Sequence, residues 1–371
     1  MRIAILTLPL HTNYGGILQA YALQTVLERM GHEVCLIEEK CKPYQLPLWK
    51  VPLSYGKRIL MNLTGHPFPI FYEQKAIREK PIIQQHTDRF IRKYIKRRIV
   101  NSFSEIKETD FGAIVVGSDQ IWRPKYFPNI KHTYLDFTEG WNIRRISYAA
   151  SFGTDEWEYT LKQTMQCAQL LKRFDAVSVR EISGVRLCKE HFGVKAVHVL
   201  DPTMLLSIED YIKLFEMANT PKSKGNLLCY ILDDTPEKKA LINNLASKNG
   251  LIPFSVNSKV ENYAAKLEER IQPPVEQWLR GFYDAEFVIT DSFHACVFSI
   301  LFNKPFIVLG NASRGMSRFS SLLDTFKLHN KMIFNIIEQS SMDSIDWNKI
   351  NSLLNWSRIH SQDFLTRSLN K

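Results

Sequence analysis

A histidine at a predicted strand-to-helix turn is the strongest candidate for chemistry in this sequence. The segment FVITDSFHACVFSILFN predicts a buried strand ending at Thr290, a short turn, and a helix with His294 at its start. An imidazole at this point lies beside backbone donors, and its usual pKa of about 6.5 suits proton transfer in both directions. A capping or core-packed histidine is the alternative, but the strand-turn-helix setting favours a side chain that faces a cleft.

Arginines in two other segments have the chemistry to hold an anion. Arg180 directly follows the predicted strand AVSV, where a guanidinium can bind a carboxylate or a phosphate through paired hydrogen bonds. Pairing of Arg180 with the neighbouring Glu181 is the alternative. Arg314 and Arg318 lie in the predicted loop GNASRGMSRFSSLL, which suits an anion site and a solvated basic surface equally well.

The segment GSDQIW has the composition of a sugar site. Asp119 and Gln120 offer hydrogen-bond partners for hydroxyl groups, and Trp122 offers a flat apolar face for a ring. Taken alone, Trp122 is more typical of a protein core.

Two adjacent glycines, Gly15 and Gly16, stand between the apolar run IAILTLPL and the helix-forming segment ILQAYALQTVLERMG. Because glycine has no side-chain bulk, a ligand or another backbone can come close here. The start of the helix also points unsatisfied N–H groups into the same space. The segment NYGG therefore predicts a place where another group approaches the chain closely.

Strands and helices alternate along most of the chain, which is typical of a doubly wound α/β fold. A strand over 2–8, a helix over 16–30 and a strand over 33–38 predict the first βαβ unit. The polar residues described above follow predicted strands, whose carboxyl ends are expected to share one cleft. Further strands are predicted within 113–116, 144–153, 175–179 and 197–206, and then within 225–234, 252–256, 287–292 and 305–310.

These elements predict an α/β fold with two Rossmann-like domains facing across a cleft, the glycosyltransferase-B arrangement. We expect the first domain over residues 1–205, the second over 206–345, and a helical tail over 346–371 that packs back on the first domain. The segment 40–108 is rich in proline, basic and aromatic residues. It predicts a helical insertion in the first domain rather than part of its sheet.

The composition excludes several classes of protein. The chain has 371 residues, 45% apolar and 12% aromatic, which is too long for one usual core and too apolar for a disordered polymer. No apolar run approaches the roughly 18 residues that a membrane-spanning helix needs. Six scattered cysteines lack the spacing of a disulfide framework or of a metal site. We expect a cytoplasmic protein that holds no metal.

The formal net charge of +10 favours anionic partners. Nucleic acid is the least favoured of these, because no helix-turn-helix, zinc finger or aromatic-basic repeat occurs. Phosphorylated substrates and an anionic membrane remain. Residues 90–99, FIRKYIKRRI, interleave apolar and cationic side chains that could rest on the inner face of a membrane. A solvated helix face is the more usual origin of such a run.

Six motifs, in order along the chain, are similar to those of one protein family: NYGGILQAYALQ, GSDQIW, SYAASFG, SVREISG, LDPTMLL and TDSFHACVFSILFNKPFIV. Together they resemble the polysaccharide pyruvyl transferase family of bacterial capsule and exopolysaccharide pathways. The resemblance implies a glycosyltransferase-B fold. It also implies transfer of the pyruvate unit of phosphoenolpyruvate to two hydroxyls of a sugar, giving a cyclic ketal and phosphate. No cofactor is implied beyond phosphoenolpyruvate as co-substrate.

The resemblance also implies roles for residues on the donor side, in the second domain and the facing strand ends. His294 matches the catalytic-type histidine of the family, and Arg180 matches the arginine that binds phosphoenolpyruvate. Many members have an arginine two residues before the histidine, where this chain has Ser292. Arg314 or Arg318 is therefore expected to supply the missing phosphate contact.

The acceptor side is expected in the first domain, with sugar contacts from residues of two motifs. The basic charge is compatible with a saccharide linked to a polyprenyl diphosphate. A nucleotide-sugar glycosyltransferase is the main alternative, because a fold does not dictate its chemistry, and a non-catalytic glycan-binding protein is the other. The expected acceptor residues are Asn13, Tyr14, Gly15, Gly16 and Gln19, with Asp119, Gln120 and Trp122 across from them.

Overall fold

The computed structural model describes residues 1–40, 47–65, 68–127, 129–310, 315–334 and 344–370. Within these ranges the chain forms two parallel β-sheets with helices on their faces. The first sheet contains β1 (Arg2–Leu6), β2 (Glu33–Glu39), β3 (Arg97–Val100), β4 (Ala113–Val116), β5 (Arg144–Ala150), β6 (Ala176–Val179) and β7 (Val197–His198). The second contains β8 (Leu227–Tyr230), β9 (Pro253–Phe254), β10 (Phe287–Thr290), β11 (Phe306–Leu309) and β12 (Met332–Ile333).

The α-helices in the described ranges connect these strands and cover the two sheets. They are α1 (Tyr14–Arg29), α2 (Val51–Leu63), α3 (Tyr72–Ile83), α4 (Gln85–Tyr94), α5 (Leu161–Leu171), α6 (Ile182–Leu187), α7 (Ile208–Met217), α8 (Pro236–Asn249), α9 (Leu267–Arg270), α10 (Val275–Asp284), α11 (Phe293–Leu301), α12 (Ser317–Phe326) and α13 (Trp347–Asn370). None of these helices combines the length and the apolar character needed to cross a membrane.

The strand order confirms the predicted fold class. The first sheet runs β3-β2-β1-β4-β5-β6-β7, which is the Rossmann order, and the second runs β12-β11-β10-β8-β9, which is the flavodoxin order. In such sheets ligands bind beyond the carboxyl ends of the strands, where the strand order reverses. Those switch points lie between β1 and β4 in the first sheet and between β8 and β10 in the second.

The central strands could be predicted because both of their faces are covered. All four residues of β4, AIVV, are buried, and so are all four of β10, FVIT. A parallel strand with helices on both faces is a continuous apolar run in the sequence instead of an alternating pattern. The predicted domain boundary after residue 205 falls between β7 and β8.

The prediction that the whole segment 40–108 lies outside the sheet is wrong at residues 97–100. These residues form β3, an edge strand that pairs in parallel with β2. Arg97 pairs with Glu38 at 3.2 Å and Arg98 with Asp110 at 2.7 Å. Cationic side chains are typical of edge strands, and they conceal the strand in a basic run. Residues 90–99 therefore form no continuous amphipathic helix.

The two sheets share one apolar core behind their facing strand ends. The ring of Tyr14, in α1, lies 5.4 Å from that of Trp278 and 6.4 Å from that of Tyr230, both in the second domain. The last helix, α13, lies against the first domain, where Phe364 contacts Tyr148 with ring centroids 6.4 Å apart. These contacts fix how the carboxyl ends of the two sheets meet.

Candidate functional site

Charged residues that follow three strands of the first sheet meet the start of α11 in one buried cluster. Asp119 follows β4, Arg180 and Glu181 follow β6, and Asp201 follows β7. His294 stands in the first turn of α11, directly after the switch point of the second sheet. None of the five residues is more than 7% exposed. Arg180 and His294, predicted independently from the sequence, thus lie in the same compartment.

Arg180 is the centre of an ion-pair network. Its guanidinium donates to Asp201 Oδ2 at 2.8 Å and to Glu181 Oε1 at 3.2 Å. A third carboxylate oxygen, Asp119 Oδ1, lies 3.5 Å from Arg180 Nη2. Burial alone would lower the pKa of Arg180, but these three negative charges outweigh it and raise the pKa above its usual value. The pairing with Glu181 is therefore present, as part of a larger network.

Asp201 joins the two predicted residues. Its Oδ2 atom, 2.8 Å from Arg180 Nη1, is also 3.6 Å from His294 Nε2, which is longer than a hydrogen bond. Its Oδ1 atom accepts from the N–H and the hydroxyl of Thr203 at 3.0 and 2.7 Å. Burial would raise the pKa of Asp201, but His294 and Arg180 hold it well below its usual value. Asp201 therefore stays a carboxylate at neutral pH.

The imidazole of His294 occupies the space that a side chain at position 15 would fill. A Cβ atom built on Gly15 lies 1.9 Å from His294 Nδ1, so only glycine fits here. Asn13 caps α1, its Oδ1 accepting from Gly16 N–H at 3.2 Å, and the helix begins at Tyr14. The glycines thus lie inside the first helical turn instead of before it. The group that approaches NYGG is the histidine of the other domain.

A second guanidinium lies over the ring of Phe293, the residue directly before His294. The guanidinium carbons of Arg180 and Arg318 are 4.6 and 5.6 Å from the centre of the Phe293 ring. Burial, followed by the positive charge of Arg180, lowers the pKa of Arg318 to about 10. Two arginines from different domains therefore place positive charge next to the start of α11.

Ser292 and Arg314 were expected on the same donor side. Ser292 is half-buried directly before α11, and its N–H donates to Thr290 Oγ1 at 2.9 Å. The Ser292 hydroxyl makes no capping hydrogen bond to the start of α11. Arg180 and Arg318 both lie over the neighbouring Phe293 ring, with guanidinium carbons 4.6 and 5.6 Å from its centre. Arg314 lies outside the described residues.

Gln19 was expected to bind the acceptor sugar, and the structure contradicts this. The side chain is fully buried. Its Nε2 donates to Thr7 Oγ1 at 3.0 Å, and its Oε1 accepts from the Ser118 N–H at 3.0 Å. The amide thus connects the loop after β1 to the loop after β4. Because both its oxygen and its nitrogen form these hydrogen bonds, the side chain is not available to a sugar.

The expectations for Tyr14 and Trp122 are also wrong, because both side chains are core residues. The Tyr14 hydroxyl donates to the carbonyl of Pro273 at 2.7 Å, across the two domains. Trp122 is stacked on Tyr134 with ring centroids 5.1 Å apart. Neither aromatic ring is therefore available for stacking on a sugar.

Three of the expected acceptor residues keep polar groups near the rim or floor of the cluster. Asn13 is exposed at the start of α1, and Gln120 is half-buried, with its Oε1 accepting from Arg123 Nη1 at 3.2 Å. Asp119 has a φ of 58°, and its carbonyl accepts from the Ser151 N–H at 3.0 Å. A left-handed backbone at a residue other than glycine is uncommon and is concentrated at functional sites.

Asp201 and Phe293 belong to the cluster, although sequence reasoning assigned neither to it. The motif LDPTMLL carried a signal for Asp201, since an acid directly before a proline at the end of a predicted strand is well placed to face the cleft. Phe293 gave no such signal, because an aromatic residue beside a helix start is ordinarily a core residue.

Two doubly wound domains that bring polar strand ends and an imidazole into one cluster define a two-domain α/β protein of the glycosyltransferase-B type. The chain belongs to the polysaccharide pyruvyl transferase family, whose family model matches residues 13–313. None of the curated proteins compared with the chain matches it.

Several solved structures are similar to this chain in backbone fold. UDP-GlcNAc 2-epimerase from Neisseria meningitidis, bound to UDP-GlcNAc, is 9% identical with a TM-score of 0.49, over 100% of this chain and 99% of that one. UDP-GlcNAc 2-epimerase from Methanocaldococcus jannaschii is 12% identical with a TM-score of 0.47, over 100% and 93%. ADP-heptose LPS heptosyltransferase II from E. coli is 10% identical with a TM-score of 0.38, over 97% and 99%.

Proposed function

We propose that the protein transfers the pyruvate unit of phosphoenolpyruvate to two hydroxyls of a sugar, forming a cyclic ketal and releasing phosphate. The sugar belongs to a surface polysaccharide or its lipid-linked precursor. Membership of the polysaccharide pyruvyl transferase family supports a transferase of this kind. The observation that carries the proposal is His294, pressed against Gly15 and joined to Arg180 through Asp201.

The chemistry of the donor requires a group that gives and takes protons. Phosphoenolpyruvate is an enol phosphate, so protonation of its methylene carbon produces a methyl group and a cation at the neighbouring carbon. A sugar hydroxyl adds to that cation and loses its proton, and phosphate then leaves with its bonding electrons. The second hydroxyl adds to the same carbon, loses its proton to the released phosphate and closes the ring. In this proposal His294 donates the first proton and accepts one from a hydroxyl.

Asp201 supports this role by its position. Its carboxylate oxygen Oδ2 lies 3.6 Å from His294 Nε2, on a side chain that is held in place by Thr203. The same oxygen holds Arg180 at 2.8 Å, so Asp201 fixes the distance between the proton-transfer group and the cation. Asp201 acts in this scheme as a positioning residue.

Two arginines offer the donor a positively charged site. The guanidinium carbons of Arg180 and Arg318 lie 4.6 and 5.6 Å from the centre of the Phe293 ring, at the start of α11. Three carboxylates offset the charge of Arg180 and raise its pKa. Burial and the charge of Arg180 lower the pKa of Arg318 to about 10, and a bound phosphate would favour its charged form. We therefore assign the donor phosphate to this pair of arginines, with Arg318 as the contact that the donor-affinity experiment tests.

Substrates need an opening that this arrangement does not offer, because the charged cluster is buried. We propose that the two domains separate at their facing strand ends to admit the donor, and that closure excludes water from the cation formed from it. Asn13 and Gln120, which are exposed and half-buried, are the proposed acceptor contacts, with Asp119 below them.

Separate measurements of turnover and donor affinity test these roles. We expect His294→Ala to lower the rate of phosphate release by about 10²–10⁴ while the Kd for phosphoenolpyruvate changes little. Arg318→Gln should instead raise that Kd. His329→Ala, at an exposed histidine, is the matched control. Wild-type turnover in the His294 variant would refute its role, and binding of UDP-sugars without phosphoenolpyruvate binding would favour a glycosyltransferase.

A further inference from the structure

Helix α2 carries an apolar face that the rest of the described chain leaves uncovered. No residue of this helix is buried. Leu53, Leu60 and Leu63 share one face, because residues seven and ten positions apart lie close in angle on an α-helix. With Trp49, just before the helix, their exposed fractions range from 61 to 79%. Exposed apolar side chains that share one face of a helix make that face a candidate interaction site.

The opposite face of α2 fixes this orientation. Arg58 donates to Glu73 Oε2 at 2.8 Å and to the carbonyl of Ile70 at 2.7 Å. The Tyr55 ring meets the Phe71 ring edge to face, with centroids 5.3 Å apart. Because these contacts attach α2 to the start of α3 and to the residues before it, the leucines on the other face of α2 point away from the protein.

Two exposed lysines adjoin the apolar face. Lys50 and Lys57 are exposed, and Lys50 Nζ lies 4.8 Å from the centre of the Trp49 ring. Residues 47–96 contain ten lysines and arginines but three acids, so much of the positive charge of the chain is in this segment. Two of those acids, Glu73 and Glu79, are engaged in ion pairs with arginines. Lys50 and Lys57 take part in neither of these ion pairs, so the charge beside the apolar face is positive.

We infer that the α2 face, formed by Trp49, Leu53, Leu60 and Leu63, docks on a bilayer that contains anionic phospholipid. Leucine and tryptophan side chains gain by leaving water for the acyl boundary, and the neighbouring lysines reach lipid phosphates. A surface that combines both chemistries on one outward helix matches an anionic bilayer in shape and in charge. This surface is distinct from residues 90–99, which are divided between α4 and β3.

The helical insertion connects this surface to the cleft. The hydroxyls of Tyr72 and Tyr263 are 2.8 Å apart, and the Ile83 carbonyl accepts from the Gln272 N–H at 2.9 Å. The next residue, Pro273, accepts from Tyr14, which adjoins Gly15 at the histidine. Docking would therefore hold the cleft near a lipid-linked acceptor, a consequence that rests on the proposed function, whereas docking itself does not.

Vesicle sedimentation with the full chain tests the inference. The protein should sediment with phosphatidylcholine vesicles that contain about 30% phosphatidylglycerol and stay in solution with phosphatidylcholine alone. The triple variant Leu53→Gln, Leu60→Gln, Leu63→Gln should lose about tenfold or more of the partition coefficient. Leu161→Gln with Met165→Gln, exposed on α5, is the matched control and should bind as the wild type does.

Three results would overturn the inference, once thermal unfolding shows that the variants fold. They are absence of wild-type binding to the anionic vesicles, undiminished binding of the triple variant, and an equal loss in the α5 control. A wild-type dimer that the triple substitution converts to a monomer would assign the face to a protein interface instead. Neither donor nor acceptor is present in this assay, so its failure is distinct from failure of the transfer reaction.

Discussion

Gly15 has no side chain, and the imidazole of His294, the proposed proton-transfer group, occupies the space that this leaves. Gly15→Ala should displace the imidazole, because the new Cβ would lie 1.9 Å from Nδ1. A displacement of about 1 Å lowers rates by about 10², and we expect a loss of that order in phosphate release. Gly16→Ala is the control, since its Cβ meets no atom nearer than 3.6 Å. Equal activity of the two variants would contradict the account.

Asp201 should contribute to stability through its charge. Asp201→Asn keeps the shape but leaves Arg180 with an uncompensated part of its buried charge, which costs about 3–5 kcal/mol in the free energy of unfolding. Because the pKa of Asp201 is lowered in the folded protein, its contribution is complete above the usual value of about 3.9 and is lost as the pH falls toward the lowered one.

Urea unfolding at several pH values measures this contribution. The difference between wild type and Asp201→Asn should stay constant from about pH 5 to 8 and shrink below about pH 4. A difference that instead grows as the pH falls from 8 to 5 would show that the folded protein does not favour the ionised carboxylate.

At the scale of elements, the contact of α1 with the segment before α10 should stabilise the docking of the two domains. Tyr14→Phe removes the hydrogen bond to the Pro273 carbonyl and leaves that carbonyl without its partner. We expect a loss of about 1–3 kcal/mol in the free energy of unfolding. Tyr283→Phe is the control, because the Tyr283 side chain is 45% exposed. Equal stability of both variants would place the link between the domains elsewhere.

Strands and helices with a regular apolar pattern could be predicted from the sequence. A strand that depends on pairing with a neighbouring strand could not. The strands β4 and β10 are apolar throughout, so their burial was evident. The edge strand β3 has the sequence RRIV, and only its pairing with β2 and the ion pairs of its arginines make it a strand. Local pattern carries no information on such pairing.

At the scale of the whole molecule, the sequence predicts which polar residues follow each strand, but not how these residues come together in one site. The rule that polar residues after parallel strands face a ligand led to Arg180, Asp119 and His294, which the structure brings into one cluster. How the domains dock decides the rest. Domain docking buries Tyr14 in the shared core, and it places the imidazole of His294 in the space next to Gly15.

The central claim is that this site consumes phosphoenolpyruvate and places its pyruvate on a sugar. Mass spectrometry of a panel of lipid-linked saccharides, incubated with the purified protein and phosphoenolpyruvate, tests it most directly. The account predicts that one saccharide gains the mass of a ketal-linked pyruvate and that phosphate is released in equal amount. His294→Ala should lower the initial rate of both by about 10²–10⁴. A product that forms only from a nucleotide sugar, or an equal initial rate with His294→Ala, would contradict it.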